Sequence, residues 1–104
     1  MAVVTKMMID NTHKFTGTFK DIDTGNEVEM SDVSMVAKFY QNGEQVGDDE
    51  TPSKSATGIY DLYHFLDSTD FTYGVAKCVM TGETDAGAIK KRVVIRFEVV
   101  DSYN

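Results

Sequence analysis

Turn-forming residues recur along this chain at short, regular intervals, and that rhythm restricts the fold more than any other feature. Asp23-Thr24-Gly25-Asn26, Asn42-Gly43, Gly47-Asp48-Asp49, Thr57-Gly58, Asp67-Ser68-Thr69 and Gly82-Glu83-Thr84 on to Gly87 each interrupt a short run rich in β-branched and aromatic residues. Glycine, asparagine and aspartate at such points supply the positive φ or the side-chain acceptor that a tight turn needs. Strands punctuated about every 8–12 residues pack as an all-β sandwich or barrel. No stretch keeps apolar residues at helical spacing for long enough to predict a long helix.

Period-two alternation then assigns the strands. In Ile89–Val100, Val93, Ile95, Phe97 and Val99 share one face while Arg92, Arg96 and Glu98 take the other, so the first set belongs in a core. The stretch Val33–Gln41 groups Val33, Met35, Ala37 and Phe39 opposite Ser34, Lys38 and Tyr40, and Asn42-Gly43 follows with the dipeptide that type I′ hairpin turns favour. His13–Asp21 alternates Phe15, Gly17 and Phe19 with lysines and threonines. Ile59–Leu66 sets Tyr60, Leu62, His64 and Leu66 against Ile59, Asp61, Tyr63 and Phe65, so both faces carry large apolar groups and something beyond the core is expected to cover one of them. In Tyr73–Thr81, an outward Lys77 sends Ala76, Cys78 and Met80 inward.

With Val3–Ile9 and a short run at Glu44–Val46, the expectation is about seven antiparallel strands, the size of an immunoglobulin-like sandwich. Residues 1–104 form one domain on this reading, with Phe15, Phe19, Phe39, Ile95, Phe97 and Val99 in its core and residues 1–9 as a possible interface strand. Asp48–Thr57 holds the only proline and nothing apolar beyond Ala56, which predicts a flexible loop.

Charge narrows the classes of partner. The chain has 17 acidic and 10 basic residues, a net charge of −7, and its basic residues cluster along the sequence only at Lys90-Lys91-Arg92. Nucleic acid is not expected as a partner, because phosphate binding needs a concentrated positive field. The one cysteine, Cys78, has no internal disulfide partner and marks no oxidising compartment. The N-terminal MAVVTKMMIDNTHK has too short an apolar run for a signal peptide, and no run approaches the roughly 18 apolar residues of a membrane span. Synthesis in a cytoplasm, with no membrane partner, is the expectation.

No set of residues promises chemistry, and neither a catalytic residue nor a cofactor or metal is expected. Ser55, His64 and Asp61 could be named as a triad, but no elbow such as GxSxG holds the serine in a strained turn, and Asp61 falls on the strand face opposite His64. His13 and His64 lack a third ligand at metal-site spacing. Cys78 reads as a small core residue. Asp21–Asp32 is similar to a calcium loop in its alternating oxygen ligands, yet asparagine stands at the sixth position where glycine is required, so a hairpin turn with Gly25 or Asn26 at positive φ is the better reading.

The order FTGTFKDIDTGNEVEMSDVSMVAKFYQNGEQV, then TGIYDLYHFLDSTDFTYGVAKCVMTGE, then IKKRVVIRFEVVD resembles the immunoglobulin-like sandwich modules of bacteriophage virion proteins, the tail, baseplate and head accessory proteins. The matching positions are the Asp21–Gly25 turn, Asn42-Gly43, Gly58 to Tyr60, Tyr73-Gly74 and the closing Phe97 to Val99. The resemblance implies a non-enzymatic virion structural protein, a decoration, head-tail or tail accessory component. Such a protein would be made in the host cytoplasm and act through contacts with viral structural proteins or with itself as a homo-oligomer. A chain that stops at Asn104 points to a small stand-alone virion protein rather than a baseplate module.

The expected interface is the first strand, where Val3, Val4, Met7, Met8 and Ile9 make both faces apolar around a single charge at Lys6. The alternative is a secreted or surface carbohydrate- or protein-binding module with Tyr40, Tyr60, Tyr63 and Tyr73 as an aromatic platform.

Overall fold

The computed structural model describes residues 4–84 and 89–102. Within them lie eight strands: β1 (Thr5–Met8), β2 (Thr12–Thr18), β3 (Val36–Gln41), β4 (Glu44–Glu50), β5 (Ser53–Ala56), β6 (Ile59–Phe65), β7 (Gly74–Glu83) and β8 (Lys90–Val100). One sheet has the order β1-β8-β7-β3-β4 and the other β2-β6-β5. The fold is all-β, a two-sheet sandwich. Every strand pairing is antiparallel except that of β1 with β8, which is parallel and departs from the all-antiparallel expectation.

The inward faces meet in an aromatic core. Phe15 of β2 lies edge-on to Phe39 of β3 and to Phe97 of β8, with centroids 5.0 Å apart in both pairs, so a ring from one sheet is wedged between two from the other. Phe19, Met30, Tyr60, Leu66, Phe71, Cys78, Met80 and Val99 complete the set of large, fully buried side chains, and Ile95 is half-buried against it. The alternation read in β8 and β6 is reproduced. Phe97 and Val99 are buried while Arg92 and Arg96 are exposed, and Tyr60 and Leu66 are buried while Tyr63 and Phe65 are exposed.

Turn chemistry closes the strands where the sequence places it. Asn42 and Gly43 both have positive φ, 55° and 80°, as a type I′ hairpin between β3 and β4 demands. The Asp21 carboxylate accepts hydrogen bonds from the backbone N–H groups of Asp23 and Thr24, which hold its carboxyl below the ordinary value, and Gly25 takes φ 74°.

Three expectations are corrected. Val33 does not enter a strand: Asp32–Ser34 is a 3₁₀ turn, Val33 is 97% exposed, and β3 begins at Val36. Residues Asp48–Thr57 are not a loop, because β4 continues to Glu50 and β5 then pairs with β6, which raises the strand count to eight. The polar composition misled because both strands lie at sheet edges and are largely exposed. Tyr60 is fully buried, its hydroxyl donating to Asp32 Oδ1 at 2.9 Å with the Met30 carbonyl 3.1 Å away.

Candidate interaction surface

The expected interface strand lies in the chain's own sheet. β1 runs beside β8 with Thr5 opposite Phe97 and Met8 opposite Val100. Met7 is buried in the core, Val4, Met8 and Ile9 are half-buried, and Val3 lies outside the described residues. The apolar character on both faces therefore has two causes: Met7 packs inward, and its neighbours cover the sheet margin.

Main-chain geometry shows which part of β1 still faces outward. Ile9 N–H donates to the Val100 carbonyl at 2.9 Å. In a parallel pair the N–H and C=O of one residue point to the same neighbour and those of the next residue point away. Met7 and Thr5 thus address β8, while Lys6 and Met8 address the open edge. His13 Nε2 lies 2.8 Å from the Met8 carbonyl. Since a carbonyl only accepts, that nitrogen carries the proton and donates. The backbone of Lys6 remains directed outward at the sheet margin.

The residues considered for chemistry are dispersed. Asp61 accepts from Thr16 Oγ1 at 2.7 Å and pairs with Lys14 at 3.6 Å on the outer face of β6, while Ser55 Oγ donates to the Ile59 carbonyl at 3.4 Å. His64 turns inward, stacked on Phe39 with centroids 4.1 Å apart, and its Nδ1 lies 2.5 Å from Glu50 Oε2. The contact joins β6 of one sheet to β4 of the other.

Sequence reasoning missed this pair because it depends on a bulge. Between Ala37↔Glu50 and Phe39↔Val46 the register slips, which sets Glu50 opposite the fully buried Ala37. Among the described residues no three His, Cys, Asp or Glu side chains come together as a metal ion requires. The tyrosines do not form a platform: Tyr60 is buried, Tyr40 sits on β3, Tyr63 on β6 in the other sheet, and Tyr73 precedes β7.

Cys78 is fully buried opposite Phe39. Burial, and then the negative charge of Glu50, push its thiol up from 9.0 to about 12, so it stays neutral near pH 7 and has little thiolate to offer. Labelling of the native protein with a disulfide reagent at neutral pH should follow the rate of unfolding, with no fast phase. Rapid stoichiometric labelling of the folded chain would show an open, reactive thiol instead.

A second surface is visible only in three dimensions. The outward positions of the larger sheet bring together Lys6, Lys38, Lys77, Lys90, Arg92 and Arg96, six of the ten basic residues of the chain. Tyr40 lies among them, with Lys77 Nζ 5.6 Å from its ring centroid. Val79 is 9% exposed on this outer face, covered by the stems of its charged neighbours. Acidic groups are at the margin: Asp49 reaches Lys38 at 3.8 Å, and Glu83 and Glu98 occupy outer positions near the ends of β7 and β8.

No family model matches the chain, no curated protein matches it, and no solved structure matches it. Assignment of the surface therefore rests on its own geometry.

Proposed function

We propose that the chain is an immunoglobulin-like module that serves, without enzymatic activity, as a structural component of a bacteriophage virion, whether decoration, head-tail or tail accessory, through protein-protein contacts. Strand order supports the immunoglobulin-like assignment. On this reading β2, β6 and β5 correspond to strands B, E and D, and β8, β7, β3 and β4 to G, F, C and C′. The virion context rests on the sequence resemblance.

One observation carries the contact reading: β1 is an edge strand whose Lys6 main chain points away from the domain. Such an edge accepts a strand from a partner protein, whose backbone supplies affinity and whose alternating side chains set the register.

Lys6→Pro tests this directly. The Lys6 N–H makes no bond to β8, so proline removes nothing from the chain's own sheet but blocks addition of a strand at the edge. The wild-type chain should be recovered in purified, salt-washed phage particles at a fixed copy number, and the folded Lys6→Pro variant should be lost from them. Wild-type chain missing from washed particles would refute the virion reading. Lys6→Pro retained at the wild-type copy number would refute the edge.

A further inference from the structure

The cationic face of the larger sheet has a feature that costs the isolated domain stability. Lys77 of β7 and Arg96 of β8 are direct cross-strand partners. Like charges directly opposite one another repel, and among the described residues neither makes an ion pair. Beside them the Tyr40 ring and the aliphatic stems of Lys38, Lys77 and Arg92 surround the nearly buried Val79. An open depression of about 310 Å³ is lined by Lys38, Tyr40, Lys77, Val79, Thr81 and Arg92. Val75, opposite Glu98 on the same face, is 60% exposed.

The same chain carries the complement elsewhere. Residues 20–27 form a small, closed hairpin: Lys20 bridges Glu27, Asp21 N–H donates to the Asn26 carbonyl at 2.8 Å, and the Asp21 carboxylate binds two further backbone N–H groups. Its turn presents Ile22, 93% exposed, beside the exposed Asp23, and the exposed Glu27 stands at its base opposite the exposed Lys20; neither acid makes an ion pair among the described residues. A little further along, Val33 is exposed next to Asp32. Concentrating six basic residues on one face of a chain with net charge −7 leaves the rest of its surface more acidic than the total suggests.

We infer that two copies of this chain associate head to tail, the acidic, apolar-tipped 20–27 hairpin of one copy seating on the Lys77-Arg96 face of the next. Acids of the hairpin relieve the Lys77-Arg96 repulsion, and Ile22 packs against the Tyr40 ring and the aliphatic stems around it. Since the two surfaces differ, the contact is heterologous, and its repetition closes a ring or extends a filament. The inference does not depend on the virion context, and its contact centres on β7 and β8, inward of the β1 edge.

The decisive experiment is a mixing test with the full chain, read by sedimentation velocity. Lys77→Glu with Arg96→Glu alters only the face, and Asp23→Lys with Glu27→Lys only the hairpin, leaving the structural carboxylate of Asp21 in place. Each double variant alone should lose at least tenfold in self-association relative to wild type. An equimolar mixture should regain association, because the intact hairpin of one variant meets the intact face of the other and the two reversed halves are complementary as well.

Wild-type association should also weaken about tenfold or more between about 0.1 M and about 1 M salt, as the screening length falls from roughly 10 Å to roughly 3 Å. The neutral pair Lys77→Gln with Arg96→Gln serves in place of the reversed face if circular dichroism shows that variant unfolded. A mixture that stays monomeric overturns the inference, as does a wild-type chain that is monomeric at millimolar concentration. Uptake of duplex DNA by the same face in place of a second copy would overturn it too. Lys6→Pro should leave the mixing result unchanged, so failure of the edge and failure of this contact are told apart.

Discussion

Phe39→Ala lowers the free energy of unfolding by about 3–5 kcal/mol, the range for deleting a fully buried phenylalanine. Phe39 has no exposed surface and links both sheets and the aromatic cluster: Phe15 lies 5.0 Å away, Phe71 6.0 Å and Phe97 6.3 Å, with the His64 ring stacked at 4.1 Å. A cavity there cannot be filled by a single neighbour, because each of those rings is held by contacts of its own. The loss also frees His64 from the ring that orients it toward Glu50. Urea unfolding of the wild type and the variant measures the difference, with Val33→Ala as the internal contrast. Val33 is 97% exposed, so its truncation should stay within about 0.5 kcal/mol. A Phe39→Ala cost below about 1 kcal/mol would show that the two sheets collapse onto the gap.

Gly58→Ala should cost about 3 kcal/mol or more, while Gly43→Ala, at nearly the same φ, should cost only about 1 kcal/mol. The two glycines have φ 71° and 80°, so both force alanine into the left-handed region. Their surroundings differ. A Cβ at Gly43 meets nothing within 4 Å, whereas one at Gly58 would stand 2.8 Å from the Phe19 carbonyl oxygen and 2.9 Å from both N and O of Val28. These are backbone atoms that cannot rotate aside, and they are tied together, since Phe19 N–H donates to the Gly58 carbonyl at 2.7 Å and Val28 N–H to the Phe19 carbonyl at 3.0 Å. Alanine at Gly58 would therefore pry apart the end of β2 and the segment crossing to β3. Equal costs for the two substitutions, in the same urea titration, would mean that this crossing yields freely.

The sequence by itself determined what depends on neighbours along the chain. Positive φ at Asn42 and Gly43 follows from residues that tolerate it, and the inward placement of Phe97, Val99, Tyr60 and Leu66 follows from the two-residue repeat of an extended strand. The all-β class could be read because turn signals and alternation agree over most of the chain. Local pattern failed where an edge strand needs no apolar face, as in β5, and where alternation ran on into Asp32–Ser34, which the fold bends into a 3₁₀ turn.

Only the tertiary structure decided which strands lie side by side and in what register. Val3–Ile9 reads as apolar on both faces whether it is lent to a neighbour or kept, and the parallel pairing with β8 places Thr5–Met8 in the chain's own sheet. The bulge that turns Glu50 toward His64 and the register that sets Lys77 opposite Arg96 join residues 14 and 19 positions apart. Basic residues that look scattered along the chain therefore share one surface, because sheet packing converts alternate positions on neighbouring strands into a contiguous face, a relation that the local sequence pattern does not contain.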